Sequence, residues 1–132
     1  MLKVSIKYDG PELGPINLEK ISNINEKDFL NKLYPIYKSI KKVKENELTK
    51  NKNTIGFVGA PWTLLVYMIN QQSPKKNLKK DFFKNDFLIN RILLILEKFL
   101  KIHIKNQIDN GANVIQIFDS WEIGRASCRE RV

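Results

Sequence analysis

Ile55-Gly56-Phe57-Val58-Gly59-Ala60-Pro61-Trp62-Thr63-Leu64 runs from an apolar strand, past two glycines, into a helix that opens on a proline. A strand buried in a core has no need of the glycines, and a loop has no need of Ile, Phe, Val and Trp. Pro61 suits the first helical position, because its fixed φ is already helical and its missing N–H would have had no partner there. The stretch therefore places an aromatic side chain and a helix N-terminus together at the end of a strand, which is where α/β proteins bind ligands.

Working outward, Thr54–Val58 reads as a buried strand and Pro61–Asn70 as the helix that follows it. Gln71–Lys76 is a polar loop and Leu78–Lys84 a short helix. A long helix spans about Asp86 to Asp109, with Leu88, Ile92, Ile95, Leu96, Phe99 and Ile102 facing inward. Asn110-Gly111 ends it, and Val114–Phe118 is a second buried strand. Upstream, Glu45–Asn53 is a connector. A helix over Glu26–Lys44, capped by Asn25, shows Phe29, Leu30, Leu33, Ile36, Tyr37 and Ile40 on one face, with Pro35 as a source of kinking. Glu12–Ile24 reads as loop, and Val4, Ile6 and Tyr8 as a short strand ending at Gly10-Pro11. Strand, helix, helix, strand, with both strands almost wholly apolar, predicts an α/β fold: a parallel sheet covered by helices. A right-handed crossover would put both strand ends on one side.

Composition narrows the function classes. A chain of 132 residues with 42% apolar and 28% charged residues supports one modest globular domain. The apolar runs, such as Leu64–Ile69 and Ile92–Leu96, fall far short of a membrane span, and the alternating N-terminus is unlike a signal peptide. The single cysteine, Cys128, excludes a disulfide framework and points to a reducing, cytoplasmic setting. No cluster of Cys and His proposes a metal, and Gly56, Gly59 and Gly111 lack the spacing of a phosphate loop. The net charge of +9 comes mostly from lysines scattered between Lys3 and Lys105, without interleaved arginines and aromatics. A solvated lysine surface explains it better than a polyanion-binding patch.

The composition breaks at Glu122–Val132, which hold three of the four arginines and the only cysteine but no lysine or asparagine. That run reads as a translated sequencing adapter, with a natural Arg-rich tail as the alternative. The expectation is thus a biological part over residues 1–121 and a non-native tail over 122–132.

Gly56-Phe57-Val58-Gly59-Ala60-Pro61-Trp62-Thr63-Leu64-Leu65-Val66-Tyr67-Met68-Ile69 resembles a signature of the uroporphyrinogen decarboxylase family over fourteen positions. Gly111-Ala112 followed by Gln116-Ile117-Phe118-Asp119-Ser120-Trp121 is similar to the family's next strand. Val4-Ser5-Ile6 with Gly10-Pro11 resembles a weaker segment upstream. Two departures stand out: Asn70-Gln71 where the family has an acidic or small residue and then Gly, and Glu122-Ile123 where it continues Ala-Gly.

The resemblance implies a (β/α)8 TIM barrel with a tetrapyrrole cleft at the C-terminal ends of its strands. Such barrels take about 250 residues, so residues 1–121 would be a central portion, inactive when alone. It implies substrate-binding roles for Phe57 as an apolar wall and for Tyr67 and Ser120 as hydroxyl donors to substrate carboxylates. On their own, these residues read equally as a core aromatic, a helix Tyr packed on the sheet, and a turn former. Asp119 receives no role, and His103 reads as an ordinary helix-surface or packing histidine, far from either strand end. The family's arginines, pyrrole-binding aspartate and C-terminal histidine have no counterpart, so no catalytic residue is expected within the chain. The implied reaction removes the acetate carboxyls of uroporphyrinogen without a cofactor, giving coproporphyrinogen in porphyrin and haem biosynthesis. The implied partner is the tetrapyrrole, with neither nucleic acid nor membrane involved; a homodimer is one possibility for the parent enzyme, whose oligomeric state the sequence does not give. The competing readings are a shortened, non-catalytic tetrapyrrole-binding homologue and a basic nucleic-acid-binding protein.

Overall fold

The computed structural model describes residues 4–7, 10–14, 17–71 and 85–120. In chain order the elements are β1 (Val4–Lys7), β2 (Gly10–Leu13), α1 (Leu18–Ser22), α2 (Glu26–Glu45), β3 (Ile55–Gly59), α3 (Pro61–Asn70), α4 (Asp86–Asp109) and β4 (Val114–Phe118). The expected helix over Leu78–Lys84, most of the loop before it and the residues from Trp121 onward lie outside the described residues.

β1 and β2 form an antiparallel hairpin in which Ile6 stands opposite Pro11. This corrects the reading of Glu12–Ile24 as loop. Gly10-Pro11 does not stop the chain but opens a second strand, because a two-stranded ribbon has a free edge on which Pro needs no ladder donor. The asparagines taken as loop markers include a cap: Asn17 Oδ1 accepts from the Lys20 N–H at 2.9 Å and starts α1.

α2 begins as expected, with Asn25 Oδ1 accepting from the Asp28 N–H at 2.8 Å while its Nδ2 donates to the Asp28 carboxylate at 2.7 Å. Pro35 sits inside the helix, and the Ser39 hydroxyl donates to its carbonyl at 2.8 Å. Tyr37 is buried, and Phe29, Leu30, Leu33 and Ile40 are half-buried. Ile36, expected on the same face, is exposed because it lies at the margin of the apolar stripe. Phe29 reaches Phe99 of α4 with ring centroids 4.8 Å apart, joining the two long helices.

β3 and β4 pair in parallel, Phe57 against Gln116 and Gly59 against Phe118. α3 and α4 pack through Leu65, Ile69, Ile89 and Ile92, with Trp62, Leu88, Leu93 and Leu96 around them. Each fully buried Leu or Ile here contributes about 1.5–3 kcal/mol. The two strands are not buried as their composition suggested. Gly56 and Val58 are covered, whereas Ile55 and Phe57 are 64% and 67% exposed and β4 is open along most of its length. The reason is one-sided cover. Strands apolar on both faces suit a sheet enclosed on both, and among the described residues helices cover only one.

α4 ends in a Schellman cap: Gly111 takes φ +113°, its N–H donates to Ile108 O, and the Ala112 N–H donates to Gln107 O. α3 closes differently, with Gln71 in the left-handed region at φ 65° and its N–H on Tyr67 O at 2.9 Å.

Candidate functional site

The site is built where β3 and β4 end beside the first turn of α3. The Ala60 N–H donates to the Phe118 carbonyl at 2.8 Å, holding the start of α3 against the end of β4. Thr63, only 6% exposed, completes the junction. Its hydroxyl donates to Asp119 Oδ1 at 2.8 Å and accepts from the Ser120 N–H at 2.9 Å. Thr63 therefore sets the direction in which the chain leaves β4.

Phe57 and Phe118 project from the open face of the sheet and meet edge to face, ring centroids 6.2 Å apart and planes at 69°. Their pairing follows from the register: Gly59 opposite Phe118 puts Phe57 and Phe118 on the same pleat face, two residues out of step. Gly59 contributes by lacking a side chain, since a Cβ there would come within 2.9 Å of Leu64 Cδ2. The result is an exposed aromatic ledge.

Ser120 follows Phe118 at the mouth of this face, and its hydroxyl makes no hydrogen bond among the described residues. Asp119 turns instead to Thr63, so its carboxylate stands beside the first turn of α3, where backbone donors favour negative charge. Tyr67 lies one turn beyond Thr63 on α3, half-buried, with its hydroxyl equally without a hydrogen bond among the described residues. The structure thus brings Phe57 and Ser120 to the same strand ends through Phe118 and Thr63. It places Tyr67 on the helix rising from them, with no hydrogen bond to either among the described residues. Sequence reasoning missed Thr63 and Phe118. A Thr two residues after a helix-opening Pro was the available signal for the first.

A second polar group lies behind the ledge. Gln107 of α4, 3% exposed, bonds the backbone of Phe57 twice: Oε1 accepts from the Phe57 N–H and Nε2 donates to the Phe57 carbonyl, both at 3.2 Å. Gln107 Nε2 also lies 3.0 Å from His103 Nε2, and His103 Nδ1 lies 2.9 Å from the Tyr37 hydroxyl. Burial holds His103 below the usual histidine range and pushes the Tyr37 hydroxyl up from its own. His103 is a packing histidine, as read from the sequence, edge-on to Phe29 with ring centroids 6.5 Å apart. It is not remote from the strands, however, since Gln107 links it to β3. The signal in the sequence was two polar residues, His103 and Gln107, on the inward stripe that continues from Phe99.

Among the described residues no group of three His, Cys, Asp or Glu could hold a metal ion, and no helix is long and apolar enough to cross a membrane. A groove of about 620 Å³ between α1 and α2, lined by Ile24, Phe29, Lys32 and Leu33 among others, includes no residue of β3, β4 or α3.

Residues 2–124 match the model of the uroporphyrinogen decarboxylase (URO-D) family. Relatives named uroporphyrinogen decarboxylase include those of Campylobacter jejuni subsp. jejuni serotype O:2, 40% identical over 119 residues, and of Sulfurimonas denitrificans, 38% identical over 117 residues. These alignments cover 87% of this chain but 35% and 33% of the relatives. A third, from Aliarcobacter butzleri, is 40% identical over 121 residues, 88% of this chain and 35% of the relative. The chain therefore spans about a third of the length of the curated relatives it matches. Its parallel strands with covering helices are part of the (β/α)8 barrel of that family, and the chain belongs to the uroporphyrinogen decarboxylase family.

Proposed function

We propose that this chain forms one part of the barrel of a decarboxylase that converts the acetate side chains of uroporphyrinogen to methyl groups. The observation that carries the reading is the aromatic ledge of Phe57 and Phe118 at the strand ends, with the hydroxyls of Ser120 and Tyr67 making no hydrogen bond among the described residues, in a chain of this family. The ledge would lie against the apolar faces of the pyrroles. The hydroxyls of Tyr67 and Ser120 would donate to substrate carboxylates, each such bond to a charged group being worth about 1.5–3 kcal/mol.

Loss of carbon dioxide leaves an electron pair on the acetate methylene. A pyrrole ring protonated at carbon takes up that pair; a second proton then adds to the methylene and completes the methyl group, and the ring releases its first proton to become a neutral pyrrole again. The ring itself is the electron sink, so the reading requires no cofactor. The chain's own contribution is orientation and exclusion of water, while the groups that move protons belong to the rest of the whole protein. On this reading the whole protein is a cytoplasmic homodimer that binds neither nucleic acid nor membrane.

The test is anaerobic incubation of the whole protein with uroporphyrinogen, followed by oxidation and separation of the fluorescent porphyrins. Sequential products with seven, six, five and four carboxyl groups are expected. Tight binding of the tetrapyrrole without any carboxyl loss would instead identify a non-catalytic homologue.

A further inference from the structure

We propose that Thr63 and Asp119 act as a positioning pair, aiming the Ser120 hydroxyl into the cleft and holding the neighbouring carboxylate out of it. The inference rests on the functional reading above for its consequence in turnover, and on geometry for the positioning itself.

The need for the pair follows from how the sheet ends. The Ala60 N–H donates to the Phe118 carbonyl at 2.8 Å, and in a parallel ladder the next bond would run from the Ser120 N–H to the Ala60 carbonyl. That carbonyl is turned to α3 instead, where it accepts from the Leu64 N–H at 2.9 Å. The Thr63 hydroxyl takes its place and accepts from the Ser120 N–H at 2.9 Å. A hydroxyl has one hydrogen, and Thr63 gives it to Asp119 Oδ1 at 2.8 Å, which leaves its lone pairs for Ser120. All of these bonds lie between β3, β4 and the first turn of α3. They use neither outer edge of the strand pair, so closing the barrel with further strands leaves them in place.

Charge is the second part. Asp119 stands between Phe118 and Ser120, and the tetrapyrrole of the proposed reaction presents carboxylates. An acidic side chain free to swing into the cleft would repel them at the spot where Ser120 receives one. Successive side chains of extended chain alternate in direction. The bond to Thr63, itself 6% exposed, keeps Asp119 on the α3 side, beside the backbone donors of the first helical turn. One buried hydroxyl thereby orients a neutral donor and restrains an anion on adjacent residues.

Kinetics and amide exchange on the whole protein test the pair. Thr63→Val keeps the shape of the side chain and removes its hydroxyl. It should raise KM roughly tenfold with kcat changed little, as expected when binding common to the ground and transition states is lost. Thr63→Ser should recover most of that loss. Asp119→Asn added to Thr63→Val should recover part of it, because the released side chain no longer carries charge. Exchange reads the positioning without substrate: Thr63→Val should speed exchange of the Ser120 N–H roughly tenfold. Asp119→Ala, at an exposed position, should speed it too by freeing the Thr63 hydroxyl to turn.

A Thr63→Val protein that melts lower yet keeps its KM would overturn the proposal, because Thr63 would then serve packing alone. A double variant no better than Thr63→Val would overturn the restraint of the anion. Should the unsubstituted protein consume no uroporphyrinogen, the functional reading would fall separately. The positioning would still be decided by the Ser120 amide, and equal exchange in the unsubstituted protein, Thr63→Val and Asp119→Ala would sink it.

Discussion

At the scale of single residues, the roles divide between hydroxyls left open among the described residues and polar groups spent on structure. Tyr67 and Ser120 belong to the first kind, Thr63 and Asp119 to the second. Tyr67→Phe removes one hydroxyl and leaves the packed ring. In the whole protein it should lower kcat/KM by roughly ten- to hundredfold without shifting the melting temperature, and unchanged kinetics would assign Tyr67 to packing. His103 supplies a pH prediction. Burial lowers its folded-state pKa below the ordinary 6.5, so as pH falls the unfolded chain takes up the proton first. Its contribution to stability is therefore intact above about pH 6.5 and is lost as pH falls below that value toward the folded pKa. Melting temperatures measured between pH 7.5 and 5.5 should drop, and the part of the drop due to His103 should vanish in His103→Phe. Much of this scale was illegible in the sequence. Phe57, Tyr67 and Ser120 stood out only through resemblance to a family, because a lone Phe, Tyr or Ser carries no pattern. The bonds of Thr63 and Gln107 reach across 57 and 50 positions of chain, and no local rule predicts such contacts.

At the scale of elements, legibility followed periodicity and punctuation. The limits of α3 and α4 and the cap of α2 were readable because Pro61, Asn25 and Asn110-Gly111 have conformational reasons to sit at helix ends. The hairpin and α1 were not, since four- and five-residue elements give too few repeats for a period, and Gly10-Pro11 reads as a stop as easily as a strand start. The strands' exposure was misjudged for another reason. Apolar composition reports the environment a strand is suited to, and only tertiary packing supplies it. Two substitutions test how the elements are joined. Gly56→Ala drives a Cβ into Gln107 Oε1 and Ile115 and should destabilise the whole protein by about 1–3 kcal/mol in a denaturant melt; a neutral result would mean that α4 can retreat from β3 freely. Gln71→Gly relieves a left-handed residue at the end of α3 and should stabilise it by about 1 kcal/mol, with a lower denaturation midpoint counting against the strain.

At the scale of the whole molecule, the decisive feature is a sheet with one covered face. Ile55, Phe57, Val114 and Phe118 are each more than half exposed, and they lie on the same side of a two-stranded parallel pair. Two strands cannot shield such a face, and one edge of each carries backbone groups that no strand satisfies among the described residues, Phe57 excepted through Gln107. Large contiguous apolar patches and open strand edges both drive association in water. The +9 charge opposes close approach through long-range repulsion, but that repulsion is screened beyond about 8 Å at physiological ionic strength, whereas the apolar contact is not. The 132-residue chain by itself should therefore self-associate, increasingly so as salt is added, and should convert no uroporphyrinogen. Replacing Phe57 and Phe118 together by Ser should raise its solubility while leaving the Leu65–Ile92 core in place, because neither ring contributes to that core. Size exclusion with light scattering at low and high salt reads the first claim, and circular dichroism of the double variant reads the second. A cooperatively melting monomer at both salt concentrations would show that the open face is tolerated and that the apolar strands need no further cover.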